Sequence, residues 1–165
     1  MGTNSKKIAY YGLATALAII MGYIEFLIPM PIPVPGVKLG LSNIVVLLIL
    51  YIMGARAAFV ISLLRVLLSG LLFAGFAGLL YSLAGAILSF TFMAVLKRTN
   101  QFSIIGTSLV GGVVHNVGQI TIAALVVENS KLFYYLPMLL VAGVITGVVI
   151  GIVAKLALKH LSHAL

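Results

Sequence analysis

Apolar residues run through this chain in long blocks from Ile8 to Leu158, and polar residues gather in the short stretches between them. An α-helix needs roughly twenty apolar residues to cross the hydrocarbon of a bilayer, whereas the strands of a membrane barrel alternate over about ten. Divided at the polar breaks, the pattern predicts six helical spans, at about 8–28, 39–53, 57–73, 79–96, 102–127 and 133–158. Together they make one all-α transmembrane domain over 1–165.

The breaks differ in kind. The first, PMPIPVPGVKLGLSN from Pro29 to Asn43, holds four of the five prolines. Proline fixes φ and lacks a backbone donor, so the first span must end there. Residues 29–42 read as a lid or binding loop, because this is the largest polar concentration in the chain; a plain solvated connection would have the same composition. The second span is short and begins with Gly40, Ser42 and Asn43. Short spans interrupted by glycine point to binding sites in transporters. Gly54, Ala55 and Arg56 form a tight turn, Ala74–Gly78 a glycine-rich connection, and Glu128, Asn129, Ser130 and Lys131 the last loop.

Composition agrees with a membrane protein: 63% of residues are hydrophobic and 7% charged, well outside the range of soluble domains. The net charge of +8 would suggest nucleic acid in a soluble protein, but here the basic residues sit at the ends of the apolar blocks. Lys6, Lys7, Arg56, Lys97, Arg98, Lys155 and Lys159 fall on the side of the termini, Lys38 and Lys131 on the other, and Arg65 within the membrane. By the positive-inside rule both termini are cytoplasmic and the proline-rich loop faces outward. The N-terminal MGTNSKK and the block after it lack a small-residue cleavage site, so that block is expected to remain as a span. With no cysteine, disulfides and thiolate metal sites are excluded. His160 and His163, three apart, read as part of a solvated basic tail and not as a metal site.

Polar groups inside the apolar blocks carry the chemistry. Glu25 lies near the outer end of the first span, where a carboxylate faces a cavity, a partner charge or the interface. Arg65 lies mid-span, with Ser62 and Ser69 on its face of the helix; it needs a buried partner, whether functional or structural. His115, Asn116 and Gln119 are a second concentration, and each buried polar group needs a partner. They are either ligands of a pocket or glue between helices. Small residues repeat at helical spacing in two places. Ala14, Ala18 and Gly22, with Gly12 and Ala16 on a neighbouring row, fit close packing either within the bundle or against a partner protein, and Gly143, Gly147 and Gly151 form a second ridge. Glu25, Lys38 and Asn43 toward the outside, with Arg65, His115 and Gln119 deeper, describe a pocket that opens outward.

PGVKLGLSNIVVLL, LLRVLLSGLLF, LYSLAGAILS and HNVGQ resemble the small membrane proteins called Gx transporters, also labelled heptaprenyl diphosphate synthase component I. These in turn resemble the substrate-binding S components of energy-coupling factor (ECF) vitamin transporters. The similarity covers about Ile8 to Lys159, and the pairing of PGVKLG with HNVGQ is its specific part. It implies a six-helix S-component fold whose first loop is a lid. It also implies that an alanine-rich face of the first helix docks on a transmembrane coupling subunit served by two ATPases. Lys38, Asn43, Arg65, His115, Asn116 and Gln119 carry over as ligand residues, and Glu25 joins them from its position. Gly12, Ala14, Ala16, Ala18 and Gly22 carry over as the docking rows.

Prenyl diphosphate synthesis itself needs clustered acidic side chains to hold Mg²⁺. This chain has no aspartate and two glutamates, Glu25 and Glu128, far apart in sequence; nor has it a Walker A motif for ATP hydrolysis. A non-catalytic role without metal or cofactor is therefore expected. The leading reading is capture of a small anionic or hydrogen-bonding molecule, a vitamin or an isoprenoid or quinone precursor, for ATP-driven import across a bacterial cell membrane. The alternative is a scaffold for an isoprenoid or quinone enzyme such as heptaprenyl diphosphate synthase. An autonomous secondary transporter would call for internal repeats, and the two halves show no convincing one.

Overall fold

A computed structural model describes residues 2–27 and 40–164, with side chains for 5–27 and 40–160. Among the described residues six α-helices follow one another: α1 (Gly2–Leu27), α2 (Leu41–Ile52), α3 (Ala55–Ser69), α4 (Gly75–Thr99), α5 (Ile104–Val126) and α6 (Leu136–Ala164). A π-helical turn, Gly70–Ala74, joins α3 to α4, and a 3-10 turn, Ser130–Tyr135, leads into α6. No strand occurs among the described residues. In hydrocarbon the backbone must satisfy its own hydrogen bonds, and a helix does so within one segment.

Four stretches are long and apolar enough to cross a membrane: Ser5–Leu27, Ala55–Thr99, Ile104–Val126 and Ser130–His160. The second, at 45 residues, would measure about 67 Å if straight, more than twice the hydrocarbon thickness of about 30 Å. It folds back on itself instead. The rings of Phe59 and Phe90 lie 5.2 Å apart, and a Cβ on Gly70 would run into Leu79, so α3 and α4 form an antiparallel hairpin. The sequence reading places a five-residue connection at Ala74–Gly78, but α4 already begins at Gly75. A single break suffices, because Gly75 has φ 70, ψ 172, a conformation that favours glycine. The apolar residues after it keep their backbone bonds inside the helix. The twelve residues of α2 cover only about 18 Å.

Packing is closest in α4, α5 and α6, where glycines line both seams. A Cβ on Gly112 would lie 2.6 Å from the Gly143 carbonyl oxygen, and one on Gly147 or Gly151 would lie 2.7 Å from the Cα of Leu109 or Ile105. The ridge Gly143, Gly147, Gly151 is therefore buried against α5 within this chain. Close backbone approach of this kind holds helices together where lipid removes the hydrophobic drive. On the opposite side of α5, Gly85 of α4 faces His115 and Gln119, and Gly111 faces Met93.

The other half is α1, α2 and α3, in which Ala14 and Ala18 pack with Val45 and Ile61. Val46, Leu47 and Leu50 of α2 bind the halves together by packing on Met93, Ile150 and Ala154. At the end of the bundle where α2 finishes, Lys97 donates to the Leu50 carbonyl, one of the last-turn acceptors that a helix cannot satisfy itself. Its ammonium also sits 5.1 Å from the centre of the Tyr51 ring, and the Tyr51 hydroxyl donates to Thr107 Oγ1 at 3.2 Å. Leu13, Ile20, Phe26, Leu71, Phe76, Val141 and Ile145 are exposed on the outside of the bundle, as lipid-facing residues are.

Candidate ligand-binding site

The site is built around the first turn of α2. Arg65 of α3 donates from Nη1 to Ser42 Oγ at 2.6 Å and from Nη2 to Asn43 Oδ1 at 3.1 Å. Its Nε has no hydrogen-bond partner among the described residues. From α1, the buried Glu25 accepts the Gly40 N–H at 2.5 Å, and its charge acts on Arg65. A carboxylate at this place also suits the positive end of the α2 dipole. Gly40 has φ 77 and so turns the chain into α2 in a conformation that disfavours other residues. Two opposite charges from two helices thus grip one helix start.

Beside this grip lies a cavity of about 60 Å³, room for a few water molecules or for part of a small ligand. Every helix contributes to its wall: Gly22 and Glu25 from α1, Ser42 and Asn43 from α2, Arg65 and Ser69 from α3, and Ser82 from α4. His115 and Asn116 come from α5, Thr146 and Ile150 from α6, and Gly70 and Phe73 from the π turn. Asn116 is also a cross-brace, since its Nδ2 donates to the Leu139 carbonyl of α6 at 2.7 Å. Arg65 uses two of the five N–H donors a guanidinium carries, and Glu25 balances its charge. Such a wall can orient a molecule by hydrogen bonds, which are electrostatically stronger here than in water.

Of the residues expected to bind ligand, Glu25, Asn43, Arg65, His115 and Asn116 come together at this cavity. Gln119 does not line it: 6% exposed, it packs on Gly85 in the seam between α5 and α4. Lys38 lies outside the described residues, as does most of the 29–42 loop. Ser62 and Ser69, which share a face with Arg65 in the sequence reading, part company. Ser69 reaches the cavity, while Ser62 is buried beside Phe59 and Leu83 of the hairpin. Phe73 and Thr146 are cavity residues that sequence reasoning missed. An aromatic ring in an apolar block carries no distinguishing signal, and Thr146 satisfies its hydroxyl on the Ala142 carbonyl of its own helix at 2.9 Å.

The small-residue rows of α1 also separate. Ala14 and Ala18, 8% and 0% exposed, are packed inside the bundle, and Gly22 lines the cavity. These three are not on a free face, because α2 and α3 cover it. Gly12 and Ala16 are exposed, and a Cβ on Gly12 would meet nothing within 4 Å. Gly143, Gly147 and Gly151 are likewise occupied, by α5.

A family model described as heptaprenyl diphosphate synthase component I matches residues 14–157. No curated protein and no solved structure matches the chain.

Proposed function

The chain belongs to the heptaprenyl diphosphate synthase component I family, and from that premise we propose that it is a non-catalytic substrate-binding subunit of a membrane transporter. The observation that carries this reading is the polar cavity walled by all six helices, with Arg65, Glu25, Asn43, His115 and Asn116 in its lining. Polar and charged groups within an apolar bundle are costly, and a scaffold that only presents an outer surface has no use for them. Held as they are, they bind a small molecule through hydrogen bonds.

The fuller form of the proposal has six spans, both termini in the cytoplasm, and a bacterial membrane as the site of capture. The 29–42 loop faces outward with Lys38, and import is driven by a separate ECF coupling subunit with its ATPases. Docking on that subunit then uses the row of α1 that remains exposed, Gly12 and Ala16. The family's description as component I of heptaprenyl diphosphate synthase supports the second reading, a membrane partner of a prenyl diphosphate synthase, with the cavity as a structural network.

Affinity purification of the chain from its host membrane in mild detergent separates the two. An ATP-hydrolysing module that co-purifies, and is lost on Ala16→Leu, supports transport. Recovery of a prenyl synthase subunit instead, unaffected by that change, supports the scaffold.

A further inference from the structure

We propose that the cavity takes an amphiphile, with an uncharged head rich in carbonyl acceptors and an apolar tail that leaves sideways between α1 and the π turn past Phe73. The inference rests on the reading of the cavity as a ligand site and goes on to name the class of ligand.

The head follows from charge and donor count. Arg65 brings one positive charge to the cavity and Glu25 one negative charge, so the described lining is balanced before any ligand enters. A diphosphate head, with two or three negative charges, would bring charge that no described residue of the lining compensates, and uncompensated charge inside an apolar bundle is strongly disfavoured. An uncharged carbonyl keeps the balance. It also supplies acceptors to a guanidinium that gives only two of its donors to Ser42 and Asn43 and has Nε unpartnered among the described residues.

The tail follows from the wall between α1 and the π turn. Gly22 of α1 and Phe73 of the π turn both line the cavity, and a Cβ on Gly22 would touch only the Ser42 and Ser69 side chains, at 3.5 Å or more. One side of Phe73 lines the cavity. Its ring centre also lies 5.9 Å from that of Tyr23 and 5.6 Å from that of Phe26, and those two residues are 47% and 60% exposed on the apolar outer surface. The polar cavity is thus separated from the lipid-facing flank of α1 by an aromatic ring. That ring is carried on a π-helical turn next to the left-handed Gly75, and π turns are concentrated at functional sites. An apolar tail leaving the cavity past this ring would stay in apolar surroundings, which a wholly polar ligand could not use.

Calorimetric binding to the full-length protein in nanodiscs tests both parts with three probes: menadione, menadione carrying a geranylgeranyl tail, and geranylgeranyl diphosphate. Nanodiscs holding Arg65→Ala correct for partition into lipid. The expected order is tailed menadione about tenfold tighter than menadione, with the diphosphate weakest, and Phe73→Trp weakening the tailed probe more than menadione. The wild-type tail comparison stands without that variant. Equal affinity for menadione with and without its tail overturns the portal while leaving ligand capture intact. Tighter binding of the diphosphate overturns the uncharged head. Failure of all three to bind overturns the proposed class, and capture itself falls only if no small molecule co-purifies with the wild-type chain either.

Discussion

Arg65 and Glu25 bring three helices to one point, because the guanidinium reaches Ser42 and Asn43 of α2 from α3 while the Glu25 carboxylate accepts the Gly40 N–H ahead of α2 from α1. Lysine keeps the charge but not the planar fork, so Arg65→Lys is expected to weaken ligand binding at least about tenfold, or roughly 1.4 kcal/mol, as read by titration. Asn116 has a separate structural duty. Asn116→Leu preserves its size but leaves the Leu139 carbonyl without its donor, which should lower stability by about 1–2 kcal/mol in a detergent-melting assay. That Glu25, Arg65 and His115 line one cavity fits their reading as polar groups of apolar blocks, each in need of a partner. Gln119 gave the same signal and lies elsewhere. Its turn of α5 faces α4, and no helical wheel says whether a polar face meets a cavity or another helix. Phe73 was illegible for the opposite reason, being one apolar residue among many.

Helix packing makes sharp distinctions between glycines that look alike in sequence. Gly112→Ala would place a Cβ against the backbone of α6, 2.6 Å from the Gly143 carbonyl oxygen, and should cost about 1–3 kcal/mol by forcing α5 and α6 apart. Gly12→Ala meets open space and should raise stability by about 0.5–1 kcal/mol through helix propensity. Thermal melting of the two variants side by side checks both signs. The positions of the helices followed from hydropathy because apolar blocks set length. The turn between α3 and α4 did not. Gly75 and Gly78 look like loop residues in sequence, yet a backbone in apolar surroundings stays helical wherever one break can turn it. The small-residue row of α1 was legible as a packing surface, but which neighbour it meets depends on where α2 and α3 lie. That is tertiary information, and it gives Ala14 and Ala18 to the bundle.

Across the whole molecule, basic residues set the orientation proposed here. The chain has no cysteine, so single cysteines can report sidedness without background. Lys131→Cys should react with a membrane-impermeant maleimide on intact cells, and Lys159→Cys only after permeabilisation; the reverse pattern would invert the topology. Lys97 ties that topology to the fold, as it reaches from α4 to the last turn of α2. Lys97→Met is therefore expected to lower the melting temperature as well as to weaken the positive-inside signal. At this scale the all-helical membrane bundle was written in composition and a pocket was expected from its polar residues, whereas the share of α4 and α6 in the cavity wall emerged only from the arrangement of the helices. Whether that cavity holds a molecule is most directly asked by native mass spectrometry of the wild-type chain and Arg65→Ala, both purified gently from the host membrane. Ligand capture predicts a stoichiometric small molecule on the wild-type chain that is missing from Arg65→Ala at unchanged helical content. A wild-type chain that flies empty, or a molecule that both forms carry equally, would contradict it.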